Sequence, residues 1–251
     1  MKAFFSRLFQ FSAIYTCFLS LLWLAKYGMG LSDYLIPSPV EFLNTIQEDG
    51  LDYVAYSLNT LSVAVLGHII SILLAGSISI LGSLKSTIGT VTRVAAYNLQ
   101  AYPIVAVSPI IFIFLGDGLA SRLLIAAMIC YFPLLLSLLG IFSQPVEDVE
   151  HFFVETGKIH HRLKLTIRLF ENLKKLLTVL TGSATLAMVG TIVAEFLAAT
   201  AGIGHAIKIA LYQDNLARIL LALLLIGICS SVYLAAIEIL GEVVSRNLQK
   251  D

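Results

Sequence analysis

Six apolar windows of roughly 20 residues, the length needed to cross ~30 Å of hydrocarbon, recur near 8–26, 58–82, 94–115, 119–143, 176–200 and 217–240. Hydrocarbon offers no partner to backbone N–H and C=O groups, so windows of this length fold as helices. A chain that is 58% hydrophobic and 13% charged, with a mean hydropathy of +0.91, lacks the polar surface a soluble domain of 251 residues needs. The expectation is an all-α membrane protein with six transmembrane helices and a helix pair between spans four and five, built as one membrane domain over 1–251. Lys2 and Arg7 ahead of the first window mimic a signal peptide. That window is long, however, and Lys26-Tyr27 stands where a cleavage site belongs, so it reads as an uncleaved first span.

Orientation follows from Lys and Arg. With the N-terminus inside, the inner segments hold twelve cations and the outer segments four, Lys26, Arg122, Lys208 and Arg218. Six spans with both termini in the cytoplasm satisfy this asymmetry. The formal net charge is zero, so bulk charge gives no argument for nucleic acid, and no nucleic-acid partner is expected. Half of the inner cations lie in one polar interval, 144–175. Pro145 suits a first helical turn, with Glu147, Asp148 and Glu150 at the end of the dipole that favours anions. Val146, Val149 and Phe153 share a helical face, and Gly157 suits a C-terminal turn. Lys158, Arg162, Lys164, Arg168, Lys174 and Lys175 follow, with Glu171 against them. The interval reads equally as a docking knob for a cytosolic partner or as a solvated loop that sets topology. Its second half, Arg162-Leu-Lys-Leu-Thr-Ile-Arg-Leu169, alternates with period two, a strand pattern in isolation. Outside the membrane, Pro39 opens a short amphipathic helix with Val40, Leu43 and Ile46 on one side. Asp33, Glu41, Glu48, Asp49 and Asp52 make that surface acidic, and a plain solvated face is favoured over docking of an external protein there.

Glu195 is the one acidic residue deep in the fifth window. Its insertion into lipid costs about 2.5–3.5 kcal/mol, so it faces a bundle interior, a partner subunit or water. A role in a path or subunit contact is favoured over a buried structural bond. His68, mid-span and without a nearby carboxylate, reads as a helix–helix hydrogen bond rather than a proton relay. Glu238 reaches the interface, and His205 belongs to a flexible turn after Gly202-Ile-Gly204. The third and fourth windows carry prolines among polar and aromatic side chains: Gln100, Tyr102, Pro103, Ser108 and Pro109 in one, Tyr131 and Pro133 in the other. A broken helix lining a cavity and a simple proline kink both account for them. Cys17, Cys130 and Cys229 lie in apolar runs and read as packing residues. HExxH and GxSxG are absent, and Gly82-Ser-Leu-Lys-Ser-Thr87 lacks the adjacent Gly-Lys of a phosphate loop. No catalytic residue, metal or cofactor is expected, and energy for active transport has to come from elsewhere.

Several segments together resemble the permease subunits of bacterial ABC importers, in the nitrate, sulfonate, taurine and thiamine-precursor branch of the binding-protein-dependent transport family. They are Ile36-Pro-Ser-Pro39, Pro103-Ile-Val-Ala-Val-Ser-Pro109 with Phe114 and Gly116-Asp-Gly118, Phe132-Pro133, and Val193-Ala-Glu195 followed by Gly202-Ile-Gly204. The set covers nearly the whole chain from residue 35 onward, in the family's order. Of the family's EAA loop, Gly157 matches the glycine and Ile167-Arg-Leu-Phe170 the close. The departures are His151-Phe152-Phe153 in place of Glu-Ala-Ala and Phe170 in place of proline. The resemblance implies a coupling helix pair in 144–175 that meets cytosolic ABC ATPase subunits through Glu150, Phe152, Phe153, Gly157, Lys158 and Arg162. It also implies an external solute-binding protein, a second copy of the chain and a bacterial inner membrane. Gln100, Tyr102, Pro103, Ser108, Pro109, Tyr131, Pro133 and Glu195 would then line or brace the translocation path. The solute would be a small one such as a sulfonate, a nitrate-like anion or a thiamine precursor. The rival reading is a stand-alone secondary transporter or channel that couples ions through Glu195 and His68.

Overall fold

The computed structural model of the chain describes residues 2–144, Phe153, Glu155 and 161–248. Among them the regular elements are helices: α1 (Lys2–Met29), α2 (Pro39–Leu84), α3 (Ser86–Gln100), α4 (Ile104–Leu115), α5 (Leu119–Ser143), α6 (His161–Glu171), α7 (Leu173–Leu197), α8 (Ile203–Tyr212) and α9 (Leu216–Leu248). Five of these (α1, α2, α5, α7 and α9) are long and apolar enough to cross a bilayer, and α3 with α4 supplies a sixth crossing if that bent pair is one span. The chain is an all-α membrane protein.

One expectation about the spans is corrected. The helix opened by Pro39 does not stop before the second span but runs into it, giving one helix of 46 residues. Ser38 caps it by accepting the Glu41 amide at 3.2 Å, and Pro39 sits in the first turn. Asp49 and Asp52 end the apolar window without ending the helix, because at ~1.5 Å per residue that part stands clear of the hydrocarbon. The third window is a broken helix, one of the two readings its prolines left open. α3 and α4 meet at an 89° bend. Pro103 lacks an amide hydrogen and disfavours the helical region for Tyr102, so the Tyr102 amide turns back to the Leu99 carbonyl at 3.2 Å. Pro109 and Pro133, by contrast, sit inside helices that continue past them.

The core is α5, packed between α2 and α7. The buried face of α2 is a run of small side chains, Ser57, Thr60, Ala64, Gly67, Ser71, Ala75, Ser79 and Gly82, at helical spacing. Small residues let backbones approach, which is how helices associate where the surroundings are as apolar as their side chains. A Cβ on Gly67 would lie 3.1 Å from that of Ala126, and the Ser71 hydroxyl lies 2.9 Å from the Ala127 carbonyl oxygen. On the other side of α5, a Cβ on Gly190 would meet Ala126 Cα at 3.2 Å. Leu134, Leu135, Leu138 and Leu139 fill the layer toward the end of α5.

α1 lies at the periphery and runs antiparallel to α9. Arg7 pairs with Glu238, the Tyr15 hydroxyl donates to the Leu220 carbonyl at 2.9 Å, and the Phe11 ring seats where a side chain on Gly227 would be. Glu238 therefore does more than reach the interface: it ties the first span to the last. Lys26, expected as an external charge, is buried and donates to Asp33 and to the Ile36 carbonyl, which closes the turn into α2. Tyr34 in that turn donates to Asp214 at 3.0 Å, a bond that raises the phenol's pKa.

The α2–α3 corner is held by backbone contact, since a Cβ on Gly89 would fall 2.7 Å from the Gly82 carbonyl oxygen, whereas one on Gly76 would meet nothing within 4 Å. Gly89→Ala is expected to lower stability by about 1–3 kcal/mol, as overpacking does, and Gly76→Ala to leave it unchanged or raise it by up to ~1 kcal/mol. Thermal unfolding of the two variants in detergent checks the ordering.

Candidate functional site

Two clusters gather most of the residues singled out from the sequence. The first is built on Glu195, fully buried near the end of α7. Arg122, in the first turn of α5, donates to Glu195 Oε1 and, at 2.6 Å, to the Asn59 side-chain oxygen. The Thr60 hydroxyl donates to Glu195 Oε2 at 2.7 Å and accepts the Ile203 amide at 2.8 Å. The Gly204 amide reaches the same Oε2 at 3.0 Å. One carboxylate thus ties together α2, α5, α7 and the N-terminus of α8, where free amides and the helix dipole favour negative charge. The glycines make this approach possible. Gly202 has φ +93°, and a Cβ there would overlap the Glu195 carboxyl, 2.2 Å from its carbon. At Gly204 a Cβ would lie 2.4 Å from the Ile192 carbonyl oxygen.

This arrangement corrects two readings. Arg122 is not an external cation but a buried one, 5% exposed, and His205 lies within α8 rather than in a flexible turn. His205 lines an outward cavity of about 360 Å³ with Asp52, Tyr53 and Arg218, and Arg218 is paired with Asp49 at 2.7 Å. His68 makes the expected helix–helix bonds: Nδ1 lies 2.6 Å from the Tyr233 hydroxyl and Nε2 lies 2.8 Å from that of Ser183.

The second cluster is the broken pair α3–α4. Gln100, Tyr102, Pro103 and Pro109 are exposed along it. Tyr97, Leu99, Val105, Ile113 and Phe114 add further exposed apolar and aromatic surface. Ser108 is buried and donates to the Ile104 carbonyl at 2.9 Å. Tyr131 and Pro133 are half-buried in α5, Tyr131 edge-on to Phe132 with ring centroids 5.1 Å apart. The underside of α4 packs through Ile111 on Ile125 and Ala194, beside Glu195. Glu195 therefore lies behind α4 and shares none of the exposed surface on which Tyr102 stands.

At the other end of the bundle, α6 is helical despite its period-two pattern, because Leu163, Ile167 and Arg168 still turn inward at helical spacing. Arg168 is buried and donates to the Phe142 carbonyl at the end of α5. Arg162 is exposed on α6. Phe153 is helical and half-buried, and Glu155 is helical and exposed. Glu150, Phe152, Gly157 and Lys158, with most of the first half of the helix pair, lie outside the described residues. A polar recess of about 250 Å³ between α2, α3, α5 and α6 is lined by Ser83, Thr90, Arg93, Ser143, Lys164 and Arg168.

No family model matches the chain. Two curated proteins are similar to it. Over 188 residues, 74% of this chain and 75% of the relative, it is 23% identical to the formylaminopyrimidine transport permease protein ThiX of Halalkalibacterium halodurans. Over 116 residues it is 34% identical to the riboflavin transport system permease protein RibX of Chloroflexus aurantiacus, an alignment that spans 44% of this chain and 41% of that protein. Both relatives are transport permeases, in agreement with the resemblance carried by the sequence motifs.

Residues that periodicity does not single out complete the Glu195 cluster: Asn59, Thr60 and Arg122. Removing one partner of a buried ion pair strands the other charge, typically at ~3–5 kcal/mol, whereas replacing both with apolar groups is often neutral. Arg122→Met and Glu195→Leu are each expected to unfold in detergent at markedly lower temperature, and the double variant to recover most of the loss. Losses in the double variant that equal the sum of the singles would show that the two side chains do not act as a pair.

Proposed function

We propose that the chain is the membrane-spanning subunit of an ATP-driven importer, working as two copies with cytosolic ABC ATPase subunits and an external solute-binding protein, in a bacterial inner membrane with both termini cytoplasmic. The observation that carries the reading is the similarity to two transport permeases. The charge distribution supports the orientation, since the basic segment 158–175 marks the cytoplasmic side. The sequence has no phosphate loop of its own, so nucleotide hydrolysis falls to a partner, and the chain itself catalyses no covalent step.

Mechanically, the ATPases would push on α6, Arg162 included, and on the residues before it, Glu150, Phe152, Phe153, Gly157 and Lys158. α6 is anchored to the end of α5 through Arg168 and passes into α7 through a single residue, Asn172. α5 and α7 are joined again at their far ends by Arg122 and Glu195. A push on α6 would therefore move the two helices as one lever, a rigid-body input of the kind that exchanges inward- and outward-facing states. Gln100, Tyr102, Pro103 and Pro109 would line the path at the break between α3 and α4, with Ser108, Tyr131, Pro133 and Glu195 bracing it from behind. The names of the two relatives point to nitrogen-heterocyclic solutes, and the exposed rings of Tyr97, ahead of the break, and Tyr102, within it, suit a planar ring that stacks.

The ion-coupled rival needs ionisable groups free to exchange protons or ions with a path. His68 and Glu195 are instead each held by other helices, which favours the ATP-driven reading.

Reversing charge at Lys158 and Arg162 together is expected to abolish co-purification of the ATPase while membrane insertion stays normal. Unchanged co-purification would remove the contact from this segment. Uptake of solute by the purified chain in vesicles, without nucleotide or partners, would overturn the importer reading itself.

A further inference from the structure

The recess of about 250 Å³ between α2, α3, α5 and α6 gathers cations. On α3, Gly89, Thr90 and Arg93 recur at helical spacing and line it; on α6, Lys164 and Arg168 do so one turn apart. Among the described residues that line it there is no carboxylate. Arg168 is 4% exposed and gives one donor to the Phe142 carbonyl. A guanidinium has five donors and an ammonium three, so contacts elsewhere need not exhaust Arg168 or Lys164. Arg93 makes no hydrogen bond or ion pair to a described residue, and neither do the hydroxyls of Thr90 and Ser143.

The backbone beside these side chains also favours an anion. Gly82-Ser-Leu-Lys-Ser-Thr87, which lacks the Gly-Lys pair of a phosphate loop, supplies one wall through Gly82 and Ser83. Lys85 is extended there, with φ −131° and ψ 115°, and α3 starts behind it with no side chain capping its first amides. α3 is 15 residues long, so its dipole favours negative charge at that end. Gly82 and Ser143 close two of the apolar windows, 58–82 and 119–143, which puts the recess at the membrane surface on the side of the basic segment. It is smaller than the ~300–1,000 Å³ of sites that enclose a drug-sized ligand. A small anionic group fits it and a whole nucleotide does not.

We propose that the recess binds one phosphate group, held by Arg93 from α3 and by Lys164 and Arg168 from α6, with the Thr90 and Ser143 hydroxyls as further donors. The planar fork of arginine matches phosphate oxygens, and lysine adds a point charge. At this depth the group comes from the headgroup of an anionic phospholipid or from free phosphate, which present the same chemistry. Bound, it clamps α6 to α3, the helix that leads into the break at Pro103.

The purified, delipidated full-length chain tests the site without ATPase or binding protein and so independently of the importer reading. Two probes separate the sources. Inorganic phosphate replacing chloride at constant ionic strength should raise the unfolding temperature in detergent if the site takes free phosphate, as any ligand of the folded state does. Native mass spectrometry should retain one phosphatidylglycerol per chain, in preference to phosphatidylcholine, if it takes a lipid headgroup. A response to either supports the proposal, and a response to neither overturns it. Arg93 is exposed, and Arg93→Gln should weaken the binding about tenfold, the loss of one hydrogen bond to a charged group. Lys174→Gln, at an exposed cation outside the recess, should leave it unchanged. Thr90→Glu puts a carboxylate in the recess and should abolish binding without lowering the unfolding temperature of the ligand-free chain. Binding that is equal in the wild type, Arg93→Gln and Thr90→Glu overturns the proposal. So does binding that appears only when Glu147→Gln, Asp148→Asn and Glu150→Gln are combined, which gives the recess to the acidic run of the chain itself.

Discussion

A carboxylate and a guanidinium facing each other inside a membrane bundle would each be intolerable alone. Taking such ions out of water costs several kcal/mol apiece even after relaxation, and only good geometry with further hydrogen bonds offsets it. Glu195 has that geometry: Arg122 on one oxygen, Thr60 and the Gly204 amide on the other. The demand propagates outward. Gly202 must adopt φ +93° and carry no side chain, α8 must begin where its first amides meet the carboxylate, and Thr60 must face inward on α2. The termini of α5, α7 and α8, which would otherwise associate loosely beside the middle of α2, are fixed by one side chain.

The rest of the bundle divides by how tightly it can pack on that frame. α2, α5 and α7 approach through Gly67, Ser71, Ala126 and Gly190, with hydroxyls bonded to carbonyls of the neighbouring helix. Close approach multiplies weak contacts, and it is the main attraction left where lipid is as apolar as the side chains. α1 lacks such a face. Only 11% of its apolar window is buried, and it is tied to α9 by the Arg7–Glu238 pair and the Tyr15 bond. The bend between α3 and α4 is of a third kind, set by a missing amide at Pro103 rather than by contacts. Rigid core, tethered periphery and broken pair would serve the proposed alternating access: something to move, something to hold it and somewhere to open.

Hydropathy made the spans legible because lipid leaves the backbone so few solutions. Their ends were less so. Asp49 and Asp52 interrupt the apolar pattern of α2 but not its hydrogen bonds, since water satisfies the charges while the helix continues. Arg122 shows the deeper limit. It stands at the margin of its window, where a cation reads as solvated, and its partner is 73 positions away. Periodicity reports which face of a helix is buried, not which distant charge waits there. Lys26 and Arg168 deceived in the same way, each buried with carbonyl or carboxylate partners close by. The clue that was present lay in Glu195 itself: an acid inside an apolar window demands a cation, and Arg122 stood at the margin of another window to supply it. The Gly202-Ile-Gly204 pattern similarly marked a close approach whose object was Glu195.

The polar groups of the membrane interior also bear on where the driving force can enter. A carrier that couples to ions keeps at least one ionisable group poised between two environments. Here His68 is held at both ring nitrogens by α7 and α9, and Glu195 at both oxygens by three other helices. Groups bonded on all sides act as rivets, since exchanging a proton or ion would break bonds that join three helices at His68 and four at Glu195. In the proposed importer, work would arrive mechanically at an end where a helix is attached rather than buried. α6 would be that place: it is joined to α5 by Arg168 and to α7 by a single intervening residue, and it lies at the opposite end from the Glu195 rivet. A lever fixed at one end and exposed at the other transmits force along its length, and this geometry accommodates an external motor better than an internal gradient.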